Sequence, residues 1–189
     1  MLALQSQPRR LEAARPHILS IGLNQRSAAV ALRERIAAAL PDLLPALAAQ
    51  MPPAVETAVL ATCHRFEVYV ALTGEGESVA QDLLRLICEQ TGCDAANVAA
   101  ALVVRRDEAA ARHLCRVAAG LDSSVLGEAQ IQGQVVATYT SALEEGSIGP
   151  VLSLLFRTAI RAGKRARTET AIGARATSMS SLALHLIEQ

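Results

Sequence analysis

Two strand-like runs separated by a few polar residues constrain this chain most tightly. An apolar stretch over 55–61 leads into Leu60-Ala-Thr-Cys-His-Arg-Phe-Glu-Val-Tyr69, and an alternating stretch over 66–72 leads out. The spacing predicts two strands joined at a hinge that carries a hydroxyl, a thiol, an imidazole and a guanidinium side by side. The elements around this pair set the expected fold. His17–Asn24 alternates like a strand, and residues 28–50 repeat apolar positions at helical spacing. That helix is expected to break near Pro41 and Pro45, and Pro52-Pro53 to end the unit. Residues 77–91 predict an amphipathic helix ending near Gly92, and Ala101–Arg105 a fourth strand. The order β-α-β-β-α-β is the ferredoxin-like arrangement.

Beyond Arg106 the pattern is helical. Asp107 is the expected N-cap of the segment AAARHLCRVAAGL, and Gly120 suits its end. Glu128–Glu145 and Val151–Thr168 predict two more helices around a Gly146–Gly149 turn, and Thr177–Gln189 begins a further one. The expected fold class is therefore α+β. A flexible tail (1–16) precedes a ferredoxin-like half (17–106), followed by a helical half (107–176) and the start of a long connecting helix (177–189).

Composition narrows the function classes. The formal net charge is zero, so any nucleic-acid contact must come from a local basic patch. No apolar run is long enough to span a bilayer, and residues 1–16 lack the apolar core of a signal peptide. A cytoplasmic location with no membrane partner is expected. Cys63, Cys88, Cys93 and Cys115 form no C-x-x-C pair, which argues against zinc. No metal is expected, and the thiols should be free in a reducing compartment.

Three constellations carry possible chemistry, and each has a plain structural alternative. Cys63 is on position alone a small buried hydrophobe. Its polar neighbours Thr62 and His64, and the cation of Arg65, point instead to an accessible thiol with a raised thiolate fraction. His64 adjoins the thiol, and His113 lies on a helix leading into an unusual polar loop. His113 is otherwise a boundary histidine bonded to backbone. The loop Gly120-Leu-Asp-Ser-Ser-Val-Leu-Gly-Glu-Ala-Gln-Ile-Gln-Gly-Gln134 gathers Ser123, Glu128, Ala129, Gln130 and Gln134. Gln130 and Gln134, four apart, share a helix face. These groups suit an amino group and a carbonyl, or else belong to an exposed cap. Arg157, Arg161, Lys164, Arg165 and Arg167 form a basic stripe with no acid between Pro150 and Glu169. It reads equally as a phosphate contact or a solvated face.

Taken in order, GLNQRSAAVALRERIA, LATCHRFEVY, RHLCRVAAGLDSSVLGEAQIQGQ and KRARTETAIGARATSMSSLA closely resemble the glutamyl-tRNA reductases. The likeness runs almost continuously over residues 18–189. It implies that Cys63 attacks the ester joining glutamate to its tRNA, that His113 assists, and that NADPH reduces the resulting thioester to glutamate-1-semialdehyde, for tetrapyrroles. It further implies that Thr62, His64, Arg65, Ser123, Glu128, Ala129, Gln130 and Gln134 lie at the substrate. A guanidinium fork suits the substrate's carboxylate.

The chain departs from the family pattern at His64, normally asparagine, at Ala61, normally serine, and at Gln25-Arg26, normally a histidine-lysine type of pair. No G-x-G-x-x-G follows a strand, so NADPH, although implied by the family, has no expected binding domain in this chain. The expected function is thioester formation from glutamyl-tRNA, with reduction needing a separate domain. The partners this implies are the aminoacyl-tRNA and a separate reductase domain, another acceptor or the semialdehyde aminomutase. The alternatives are a stand-alone tRNA-dependent acyl transferase or esterase, and a non-catalytic tRNA-binding module.

Overall fold

The structure, a computed structural model, describes residues 15–52, 55–74 and 77–172. The expected helix over 177–189 and all but the last two residues of the expected tail lie outside them. The elements in order are β1 (Pro16–Asn24), α1 (Val30–Gln50), β2 (Glu56–Ala61), β3 (Arg65–Thr73), α2 (Glu77–Thr91), α3 (Ala95–Ala101), β4 (Val103–Arg106), α4 (Asp107–Ala118), α5 (Gln130–Glu144) and α6 (Pro150–Glu169). The strands pair in the order β2-β3-β1-β4, every neighbour antiparallel. This is the expected ferredoxin-like sheet.

Strand alternation sorts the residues to two faces. Leu19, Ile21 and Leu23 of β1 and Phe66, Val68 and Val70 of β3 form one core with Ile36, Leu43 and Leu47 of α1 and Leu83, Leu86 and Ile87 of α2. The opposite face carries Ala58, Leu60, Tyr69 and Ala71. Leu114 and Val117 of α4, Ile131 and Val135 of α5, and Leu152 and Phe156 of α6 cover it. The helical half therefore packs onto the second side of the same sheet. Gly22 lets β1 approach β3, because a Cβ there would lie 2.2 Å from the Phe66 carbonyl oxygen.

Four expectations are corrected. Pro41 and Pro45 do not break α1. They and Ala37 are exposed, so the carbonyls that lose a donor face water while Ile36, Leu43 and Leu47 hold the inner face. A short helix, α3, precedes β4, started by the Asp94 carboxylate accepting from Asn97 N. Asp107 does not cap α4. Its carboxylate accepts from Ile18 N, 3.0 Å away, and lies 3.1 Å from His17 Nδ1, tying the start of α4 to β1. Helix α5 begins at Gln130 rather than Glu128.

The two halves are joined at β2. The Glu56 carboxylate accepts from Val151 N at 3.0 Å and Leu152 N at 2.6 Å, capping α6 across the chain. Thr57 N donates to the Ser147 carbonyl at 2.7 Å, so the outer edge of β2 is met by the turn before α6.

Candidate active site

Thr62 builds the turn between β2 and β3. Its N–H donates to the Arg65 carbonyl at 2.8 Å, and its hydroxyl oxygen accepts from the N–H groups of His64 and Arg65. This leaves Cys63 exposed at the hairpin tip. Two outside groups fix the tip. Arg33 Nη1 of α1 donates to the Cys63 carbonyl at 2.7 Å, and Gln25 N donates to the His64 carbonyl at 3.0 Å.

The hairpin and the loop before α5 enclose a narrow cleft of about 20 Å³. Thr62, Cys63, His64 and Arg65 line it on one side, and Ser123, Glu128, Gln130 and Gln134 on the other. Eight of the ten positions singled out from the sequence for catalysis and substrate binding thus meet in one place. Ile131 joins them as an apolar wall. Ala129 does not line the cleft; it is the exposed N-cap residue of α5.

His113 is buried beneath the hairpin and lines a neighbouring cleft. Its Nε2 lies 2.9 Å from Glu67 Oε1, and its Nδ1 3.5 Å from Asp122 Oδ2. Glu67 is the centre of a buried network. It accepts from Arg65 Nη1 at 2.8 Å and from the Tyr69 hydroxyl at 2.7 Å. Burial alone pushes the Glu67 carboxyl up. The hydrogen bond and charge of His113, the Arg65 cation and the Tyr69 hydroxyl outweigh it and hold the carboxyl down at about 2. Tyr69 is pushed well above its ordinary value by burial and by the Glu67 charge, so it stays a donor.

This network corrects the expected role of the Arg65 charge. The guanidinium is not a free cation beside the thiol, because it is buried and pairs inward with Glu67. Its Nη2 donates to the Asp122 carbonyl at 2.8 Å. Of its five N–H groups, those remaining include the buried Nε, which has no partner among the described residues. Arg65 thus lines the thiol cleft with its charge already balanced by Glu67.

The basic stripe of α6 divides. Arg167 donates to the carbonyls of Gly127 and Glu128 and so fastens the cleft loop to α6. Arg165 pairs with Glu169 at 2.9 Å. Arg157, Arg161 and Lys164 are exposed.

Sequence reasoning missed Glu67, Asp122 and the tethering role of Gln25 and Arg26. Glu67 had a signal: it stands two residues from Arg65 on a strand, hence on the same face. Asp122 had none, since its partners Arg26 and His113 come from distant segments.

An antiparallel α+β fold whose hairpin tip presents a thiol to a cleft of hydroxyl, amide and guanidinium groups defines a class of candidate thiol enzymes. Comparison with known proteins makes the class specific. The family described as "Glutamyl-tRNAGlu reductase, N-terminal domain" matches residues 21–170, and the chain belongs to that family. It is 39% identical over 174 residues to the glutamyl-tRNA reductase of Pseudomonas fluorescens, covering 90% of this chain and 40% of that protein. It is 42% identical to that of Roseiflexus castenholzii, with 92% and 40% covered. Among solved structures, glutamyl-tRNA reductase from Methanopyrus kandleri matches with a TM-score of 0.63 at 32% identity, covering 90% of this chain and 39% of that one. The chain thus spans about 40% of the length of these reductases.

The described residues do not fit the NADPH that the family implies. A dinucleotide needs a glycine-rich turn between a parallel strand and a helix, whereas this sheet is antiparallel throughout. The glycine inside β1 faces the backbone of Phe66 and Glu67 instead of open space. Among the described residues, no three His, Cys, Asp or Glu side chains group as metal ligands, and no helix is long and apolar enough to cross a membrane.

Proposed function

We propose that Cys63 captures the glutamyl group of glutamyl-tRNA as a thioester. The sulfur attacks the ester carbonyl carbon, the bond from that carbon to the terminal ribose oxygen breaks, and the ribose oxygen leaves with a proton. Splitting acyl transfer in this way replaces one difficult step by two easier ones. The observation that carries the reading is the convergence of an exposed thiol with eight polar or apolar groups of complementary kind in one cleft. Arg65 lines that cleft, and a guanidinium fork suits the substrate carboxylate. Glu128, Gln130, Gln134 and Ser123 suit the amino group and carbonyl. His64 is assigned the thiol proton because it adjoins Cys63 and lines the same cleft. His113 assists from below by holding Glu67, and through it Arg65.

The thioester then enters reduction on the route to tetrapyrroles. No hydride step is assigned to the described residues, so NADPH would act from elsewhere in the reductase. Arg157, Arg161 and Lys164 remain the part of the α6 stripe free to meet the tRNA backbone. The cytoplasm is the expected setting, since it keeps the thiols reduced.

The test is direct. Radiolabelled glutamyl-tRNA should leave acid-stable label on the chain that hydroxylamine removes, and Cys63→Ser should carry none. Equal label in the two proteins, or none in either, defeats the reading.

A further inference from the structure

A second cleft, of about 740 Å³, opens next to the thiol cleft. A hydrogen-bonded partition separates the two. Gln25, whose N–H holds the His64 carbonyl, also donates from its side chain to the Asp122 carbonyl at 3.1 Å, as Arg65 does at 2.8 Å. Asp122 and His113 line the second cleft, while Arg65 and His64 line the first.

The walls of the second cleft carry Arg26, Arg105, Arg112 and Arg116 against only Glu108 and Asp122. The two acids are already engaged: Arg112 pairs with Glu108 at 2.5 Å, and Arg26 with Asp122 at 2.8 Å. Arg116 reaches Asp122 only at 3.9 Å, on an oxygen that Arg26 already holds. Arg105, half-buried on β4, has no hydrogen bond or ion pair among the described residues. Its guanidinium is left to water, which an anionic ligand can replace with a charge-assisted hydrogen bond. One cation unpaired among the described residues, Arg105, and one weakly paired, Arg116, thus face a space large enough for nucleotides, beside a thiol that is to receive an acyl group from RNA. The walls offer charge and the polar side chains of Asn24 and Ser27, but no Phe, Tyr or Trp to stack a base. That chemistry grips phosphates and reads little of the bases.

We propose that this arginine cleft holds phosphodiester groups of the single-stranded 3′ end of the tRNA, with the terminal ester continuing to Cys63 in the neighbouring cleft. The proposal rests on the acyl-capture reading and adds an RNA subsite distinct from the α6 stripe.

The test uses the whole chain carrying Arg105→Gln and Arg116→Gln, with tRNA and a short single-stranded RNA as probes over a salt series. Affinity for both should fall about tenfold or more at low salt, and the log–log salt slope should lessen by about 1.4, two contacts at ~0.7 each. Alkylation of Cys63 by iodoacetamide, which needs no phosphate, should proceed at the wild-type rate. Arg105→Lys with Arg116→Lys should restore most of the binding. If the double Gln variant folds poorly, Arg116→Gln alone, at an exposed position, should still reduce the slope by about 0.7. Unchanged affinity and slope overturn the cleft. So does a loss found only when Arg157, Arg161 and Lys164 are replaced, or stronger binding of an acidic peptide than of RNA. The two readings fail separately. Normal labelling of Cys63 with no effect of the Gln variants removes the cleft alone. Loss of RNA binding in those variants, with no label on wild-type Cys63, removes acyl capture alone.

Discussion

The two faces of β3 are made from one nine-residue strand and differ in kind. Phe66, Val68 and Val70 enter a core of aliphatic side chains under α1 and α2. Arg65, Glu67 and Tyr69, the intervening residues, build a buried polar chain under α4 that ends on His113. The first face secures the strand by area removed from water, which tolerates changes of shape and ignores pH. The second holds charges that must stay matched, because a buried ion without its partner is far more costly than the pair. The hairpin tip therefore stands on a scaffold that is robust on one side and exacting on the other. The exacting side orients the guanidinium in the thiol cleft.

The contrast can be broken most severely at Glu67. Glu67→Gln leaves Arg65 buried without a counter-charge and should cost about 3–5 kcal/mol in urea unfolding. A loss below about 1 kcal/mol would mean that the two faces do not differ as described. Next comes Leu43→Ala on the aliphatic side, which should cost about 2–5 kcal/mol, by the same amount at pH 7 and pH 3. The pH dependence itself separates the faces. The Glu67 carboxyl is lowered in the fold from 4.5 to about 2. Its stabilisation is therefore fully present above about pH 4.5 and is lost as pH falls from there toward 2. The amount is on the order of 3 kcal/mol. Urea midpoints measured across that window should fall in the wild type, and Glu67→Gln should remove this group's share of the fall. The smallest effect concerns the seam between sheet and helices. Glu56→Gln keeps the shape but weakens the charged cap of α6, and should lower stability by about 0.5–2 kcal/mol.

Much of this architecture was legible because alternation and helical spacing survive in the sequence. The strands around Cys63, the amphipathic α2 and the helix begun by Pro150 fall where their patterns predict. The members of the thiol cleft were legible as two local words, 62–65 and 123–134, that the fold brings together. What escaped notice depends on partners remote in sequence. Asp107 looks like a cap until β1 presents Ile18 N. Arg65 looks like a free cation until the pleat sets Glu67 under it. Arg167 looks like part of a stripe until the loop carbonyls of Gly127 and Glu128 meet it. Pro41 and Pro45 misled for another reason: their exposed side of α1 lets water replace the missing donors.

The contact of Thr57 N with the Ser147 carbonyl has a consequence for how copies of this chain behave in a crowded solution. A sheet margin with free amides invites a foreign strand to zip onto it, the first event in many aggregates. Here one margin is interrupted by a neighbouring turn, and the other, β4, is four residues long and ends in two arginines. Neither rim offers a long neutral template, so self-adhesion is discouraged at both limits of the sheet.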